Sequence, residues 1–396
     1  MTSSAQFPVL TMFGLRSIPR RLGNSLVVVV GIAGVVAVLL SVLTMYVNFR
    51  QTIYADGRAD RAIVMARSAS EENESDLSLE TIAAVTDAPG IRRDANHRPL
   101  VSVEVLLSAP TSRKSDNSDV NLTLRGVGER YFVIRPELKL VAGRMLRPGT
   151  QELLVGNAAR QQFAGLDIGN QLRLQGGDWT IVGIFAGGNG SRESEVVADA
   201  RTAMSVYKLN TANSVTLLLE SADSLRKVKT ALDAQATLAL QVRSEPEYLA
   251  TAAGPVNRML RLVAYAVGSI MAVGAFFAAL NSMHSSVASR TVEIATLRAI
   301  GFSAGAVAAS ILGEALALAL LGAAIGVAIA YAAFNGTVIS TLGGAQFDGQ
   351  LVYALIITPS LAVIAVLLAC VLGLLGGLFP AIGAARANVA DALHET

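Results

Sequence analysis

The chain has 396 residues, 52% of them hydrophobic and only 16% charged. Soluble domains carry about 25% charged residues, so the composition excludes a disordered chain and argues against an ordinary soluble enzyme. A formal net charge of +2 offers no broad basic field for nucleic acid. The lone cysteine, Cys370, permits no intramolecular disulfide.

In chain order, residues 1–25 form a basic lead with Arg16, Arg20 and Arg21, and 26–48 is a first uncharged apolar block. A membrane-spanning helix needs about 20 mostly apolar residues, because only an internally hydrogen-bonded backbone survives in lipid. A cleaved signal has an apolar core of only about 7–15 residues, so this block reads as a retained anchor. Similar blocks fall at 258–284, 307–334 and 352–379.

Between the first two blocks, 49–257 reads as one polar domain of mixed α/β pattern. A helix is predicted over 76–85, before Pro89 and Gly90, and another over 158–163. Strands are predicted over 100–107 and 120–127, around a polar loop at 111–119, and over 152–156. Residues 171–174 and 179–185 pair about the Gly176–Gly177 turn, and 215–219 and 238–242 complete the strands. Leu225, Val228 and Leu232 fall at helical spacing. Gly187, Gly188, Asn189 and Gly190 lack the lysine of a phosphate loop and read as a flexible turn. No breaker follows Pro255, so a helix is expected to run directly into the second block.

Residues 285–306 connect the second and third blocks, 335–351 form a short loop, and 380–396 are the tail. Arginines cluster before the first block, at Arg290 and Arg298, and at Arg386, whereas 335–350 contains no Lys or Arg. This bias places both termini in the cytoplasm and the polar domain outside. The fold expected is an α-helical membrane protein with four transmembrane helices and a mixed α/β extracytoplasmic domain inserted between helices 1 and 2.

The histidines, His97, His284 and His394, are scattered, and no nucleophile elbow or phosphate loop occurs. No catalytic, metal or cofactor site is therefore expected in this chain. Glu314 lies about two turns into the third block. It is either an intramembrane polar site or a carboxylate at the interfacial end. Gly322 with Gly326, and Gly373 with Gly377, form small-xxx-small pairs that permit close helix packing and dimerisation.

The 285–306 connection is the most informative segment. It favours helix up to Gly301. Val287, Ile294 and Leu297 share one arc, while Val292 and Ile300 lie elsewhere, so the helix is apolar on more than one side. That suits docking onto another protein. The stretch Arg290-Thr-Val-Glu-Ile-Ala-Thr-Leu-Arg-Ala-Ile-Gly301 closely resembles the R-x-x-E-I-(G/A)-x-x-(R/K)-A-(L/I)-G signature of MacB/FtsX-type ABC transporter permeases. The basic lead, Gly143-Arg-Met-Leu146, Glu152-Leu-Leu-Val-Gly156, Ile181-Val-Gly-Ile184 and the ending from Pro380 through Arg386 to Leu393 resemble further landmarks of that family.

The resemblance implies a type VII, mechanotransmission permease that works as a dimer with a second copy or a paralogue. A separate ABC ATPase subunit would carry ATP and Mg, since only a short lead precedes the first block. Arg290, Glu293, Ile294, Leu297, Arg298 and Gly301 would be the ATPase-coupling positions. Glu293 and Arg298 would make charged contacts, and Leu297 would fill a groove on the partner. The protein would sit in the inner membrane and drive export or extraction of a substrate at the outer face, with a periplasmic adaptor and an outer-membrane channel as further partners. Two alternatives share the fold: a lipoprotein-releasing subunit, and an FtsX-like signalling subunit that activates a cell-wall hydrolase without transport. The size of the polar domain favours export or lipoprotein release over the FtsX-like signalling role.

Overall fold

The computed structural model describes residues 22–340 and 351–386, apart from 176, 188 and 189. Most of the basic lead, the 341–350 part of the loop and the tail beyond Arg386 lie outside the described residues. The chain divides into two units. One takes the described residues of Met1–Val47, Met259–Thr337 and Leu355–Thr396, and the other takes Asn48–Arg258 and Val338–Ala354.

Four helices, at Leu22–Ala55, Gly254–Ala288, Ala304–Phe334 and Pro359–Arg386, are long and apolar enough to cross a membrane. The first contains the run Val27-Val-Val-Val30, whose β-branched side chains are poor helix formers in water. In hydrocarbon the rule changes, because the backbone has no hydrogen-bond partner but itself. Pro255 sits in the first turn of the second helix, where its missing N–H costs nothing. As expected from the absence of a breaker, that helix is continuous from Gly254 to Ala288. A shared core of Ile32, Val36, Leu40, Ile311, Leu318 and Ala369 joins these helices.

The fourth helix departs from the sequence reading at both ends. It starts at Pro359 instead of 352, because Val352–Ala354 pairs as a strand with Val338–Ser340. The residue before a proline is steered away from helix, and Thr358 occupies that position. At the other end Pro380 lies inside the helix. Its ring would clash with the carbonyl four residues earlier, and that residue is Gly376.

In the polar unit the strands are β1 (Arg61–Ala66), β2 (Leu77–Ser78), β3 (Val101–Ser112), β4 (Asp119–Val127), β5 (Lys139–Gly143), β6 (Glu152–Gly156) and β7 (Gln171–Leu174). They continue with β8 (Gly177–Ala186), β9 (Val196–Asp199), β10 (Thr211–Ala212), β11 (Ser214–Leu218), β12 (Leu240–Ser244), β13 (Val338–Ser340) and β14 (Val352–Ala354). Among the described residues, a 10-stranded mixed sheet runs β12-β1-β11-β3-β4-β9-β6-β8-β5, with β7 against β8. β3 joins its two halves: Val101–Glu104 pair with β11, and Val105–Ser112 pair with β4. Two cores follow from this switch. Val64, Val85, Val215, Leu217, Val228 and Leu232 form one, and Leu124, Leu153, Phe163, Trp179, Ile181 and Val196 form the other.

The helix predicted over 76–85 is found at Leu79–Thr86, where the Ser78 hydroxyl accepts the Thr81 N–H at 3.2 Å. β1 and β9 escape the sequence reading. Both are nearly or wholly buried runs with no polar alternation, RAIVMA and VVAD. The predicted polar loop at 111–119 is narrower, because β3 extends to Ser112 and β4 starts at Asp119.

Candidate coupling site

A helix spans Thr291–Ala299, separated by two residues from the end of the second long helix at Ala288. Its C-terminal stop is built at Gly301, whose φ of +104° lies in the left-handed region. Gly301 N–H donates to the Arg298 carbonyl at 3.1 Å, and Phe302 N–H donates to the Leu297 carbonyl at 3.2 Å. These are the two bonds of a Schellman stop. The Ser303 hydroxyl then accepts the Ala306 N–H at 3.2 Å and opens the third long helix.

The side chains of this short helix divide by face. Ile294 and Ala295 are buried, and Ile294 belongs to the core that includes Val307 and Ile311. Ile294 is therefore a seat for the helix, so any part it has in coupling is played from the inward face. Leu297 and Arg298 are half-buried, and Glu293 is exposed. The outward face carries Val292 and Ile300, 47% and 73% exposed, with Thr296 and Ala299 between them. Their spacing of four, seven and eight residues makes one stripe. The signal in the sequence was the pair of apolar residues lying off the Ile294 arc.

Arg290 and Glu314 are brought together. The Arg290 guanidinium grips the Glu314 carboxylate with both ends, at 2.8 and 2.9 Å. Glu314 is only 4% exposed, so the pair is shielded. A polar site and a coupling position that the sequence reads separately thus form one contact, and Arg290 turns inward to make it.

The four predicted packing glycines all meet helices of the same chain. A Cβ on Gly322 would lie 2.8 Å from the Val29 carbonyl oxygen, and one on Gly326 would lie 2.5 Å from that of Ala33. A Cβ on Gly373 or Gly377 would lie 2.5 or 2.7 Å from Ala319 or Ala315. The close approach that their spacing permits is made here between helices of one chain.

The polar unit holds a charged cluster that the sequence does not reveal, because its members are far apart in the chain. The buried Arg125 bonds Glu104 at 2.8 Å, Glu72 at 3.2 Å and Glu195 at 2.7 Å. Burial alone would raise the Glu72 carboxyl, but Arg125 and Arg192 outweigh it and hold Glu72 down at about 2. A second knot joins Glu245 to Arg61 and Arg135, each at 2.6 Å. Arg61 also bonds the Asp56 carbonyl and the Glu137 carboxylate. Burial pushes the Asp56 carboxyl up, against hydrogen bonds from the Ser191 hydroxyl and the Arg192 N–H. A Cβ on Gly190 would collide with that carboxylate. Gly190 is therefore a close-approach glycine, which corrects its reading as part of a flexible turn; Gly188 and Asn189 lie outside the described residues.

Comparison with known families agrees with this architecture. Residues 22–235 match the model of the MacB-like periplasmic core domain, and residues 265–389 match that of the FtsX-like permease C-terminal region. The chain belongs to the MacB/FtsX-type family of ABC transporter permeases. Among solved structures it is similar to the periplasmic region of MacB from Actinobacillus actinomycetemcomitans. That match has 14% identity over 48% of this chain and 92% of the other, with a TM-score of 0.38. It is also similar to the extracellular domain of the noncanonic ABC-type transporter YknZ from Gram-positive bacteria, at 16% identity over 46% and 99%, with a TM-score of 0.35. At these scores the structures carry no argument of their own. No curated protein matches the sequence.

Proposed function

We propose that this permease receives a separate ABC ATPase subunit on the outward face of the Thr291–Ala299 helix and passes the motion of ATP binding and hydrolysis to its polar domain. That domain then acts on a substrate at the outer face of the membrane, with export or extraction as the outcome. ATP and Mg belong to the partner. The observation that carries the reading is the Val292–Thr296–Ala299–Ile300 stripe, which leaves two large apolar side chains in the open on a helix whose opposite face is buried. Exposed apolar side chains rimmed by charge, here Glu293 and Arg298, are what a partner's groove covers. A second permease copy or paralogue completes the assembly, and an adaptor and an outer-membrane channel extend it where the host has an outer membrane.

The test is co-purification of a co-expressed candidate ABC ATPase. The paired change Val292→Asp plus Ile300→Asp should reduce recovery of the ATPase at least about tenfold, since each buried apolar anchor contributes roughly 1.5–3 kcal/mol. The thermal midpoint of the permease itself should stay within a few degrees. Undiminished recovery with the paired variant would show that the stripe is not the docking face.

A further inference from the structure

The Arg290–Glu314 pair closes a triangle. One side is the short helix, running from Arg290 to the corner at Gly301, and it spans about 15 Å at helical rise. The second side is the third long helix from Ala304 to Glu314, again about 15 Å. The two sides share the corner Gly301–Ser303, where a left-handed glycine makes the turn. At the open end, the two-pronged contact of 2.8 and 2.9 Å ties the sides together. Two struts that share one corner are free to open about it, whereas a closed triangle is not.

The chemistry of the pair suits this task. A guanidinium and a carboxylate held by two parallel bonds resist twisting as well as stretching, unlike a single hydrogen bond. Their burial, with side chains 13% and 5% exposed, keeps water from competing for the bonds. The apolar seat of Ile294 lies between corner and pair and packs the short helix down, while the two-pronged charged contact adds an orientation-specific tie at the open end.

We propose that Arg290 and Glu314 are positioning residues that brace the corner at Gly301. They hold the short helix at a fixed angle to the third long helix, so that displacement of one becomes displacement of the other. The inference rests on the docking reading only for the source of the displacement; the brace itself is a property of the permease alone. It assigns Arg290 a task away from the partner surface and gives Glu314 a use that needs no transported proton.

The experiment uses the full chain in lipid nanodiscs, without ATPase, in a Cys370→Ser background. Spin labels at Val292→Cys and Leu320→Cys report the open end of the triangle, and labels at Ile300→Cys and Leu320→Cys report its corner. With Arg290 and Glu314 intact, both distance distributions should be narrow. In Glu314→Gln the first should broaden, with the population of opened corners raised roughly tenfold or more, because the charged two-pronged contact between the sides is lost. The second should hardly change. Arg290→Glu combined with Glu314→Arg should narrow the first distribution again.

A first distribution that stays narrow in Glu314→Gln would overturn the brace. So would equal broadening of both distributions, which would indicate general loss of packing, or failure of the reversed pair to narrow the first. With a bound ATPase, Glu314→Gln should leave co-purification unchanged while cutting the permease-dependent stimulation of ATP turnover about tenfold. Unchanged stimulation would show that the brace transmits nothing. If no ATPase binds the unmodified protein, the docking reading fails, and the brace is judged on the distances.

Discussion

At the scale of single residues, close approach decides which small side chains matter. Gly326 faces the Ala33 carbonyl oxygen and Val36, whereas a Cβ at Gly34 would have nothing within 4 Å. Gly326→Leu should therefore destabilise the helical unit by about 1–3 kcal/mol through overpacking. Gly34→Ala should be neutral or slightly stabilising, as expected for removing an unused glycine from a helix. Thermal unfolding in detergent, followed by circular dichroism, separates the two. The small-xxx-small spacing with Gly322 marks Gly326 in the sequence, and the neighbouring helix shows what that spacing meets.

Charge offers a second test at this scale. Glu72 is held from an ordinary 4.5 down to about 2 in the folded state. An acid whose folded value is depressed contributes stability above its unfolded value and loses it as pH falls through the folded one. The Glu72 contribution, on the order of 3 kcal/mol, should therefore fade between about pH 4.5 and 2. Asp56, pushed upward by burial, acts with the opposite sign and favours the fold at lower pH. Trp179, the sole tryptophan and fully buried, reports the transition by fluorescence. Arg125→Met should cost about 3–5 kcal/mol at neutral pH, because it strands buried carboxylates. The same variant should shrink the acid-dependent loss.

At the scale of elements, the short helix is defined by its stop. Gly301→Val would force a β-branched residue to a φ of +104°, at a cost of about 1–3 kcal/mol. It should unwind the last turn, so that amide exchange at Phe302 and Ile300 quickens relative to the third long helix. The position of this stop was legible in the sequence, because a glycine after a helical run is a recognisable punctuation. Which face of the helix looks outward was not. Ile294 and Val292 are comparable apolar residues two positions apart, and burial against the core that includes Val307 separates them. The fourth long helix gives the converse case. Uncharged composition continues from 352, yet the strand pairing of Ile339 with Tyr353 delays the helix to Pro359.

At the scale of the whole molecule, the two units have separate cores and different compositions: one carries the long apolar helices, the other a sheet of mixed polarity. The sheet of the polar unit depends on water-driven burial, which urea weakens, while the long helices are held by composition suited to lipid. Urea titration of the protein in micelles should therefore shift Trp179 fluorescence at lower concentration than it lowers the helical signal near 222 nm. Coincident transitions would show that the units unfold together.

The sequence by itself determined the four apolar helices, the polar domain between the first two, seven of the twelve strands within it and the short helix that stops at Gly301. Each of these is a local pattern of hydropathy, periodicity or punctuation that neighbouring residues carry together. Only the tertiary structure decided the partners: Arg290 with Glu314, Arg125 with three distant acids, β3 shared between two halves of a sheet, and each packing glycine with its opposing helix. The reason is physical. A charge or a missing side chain has meaning through what lies within a few ångströms of it, and chain order does not specify what that will be.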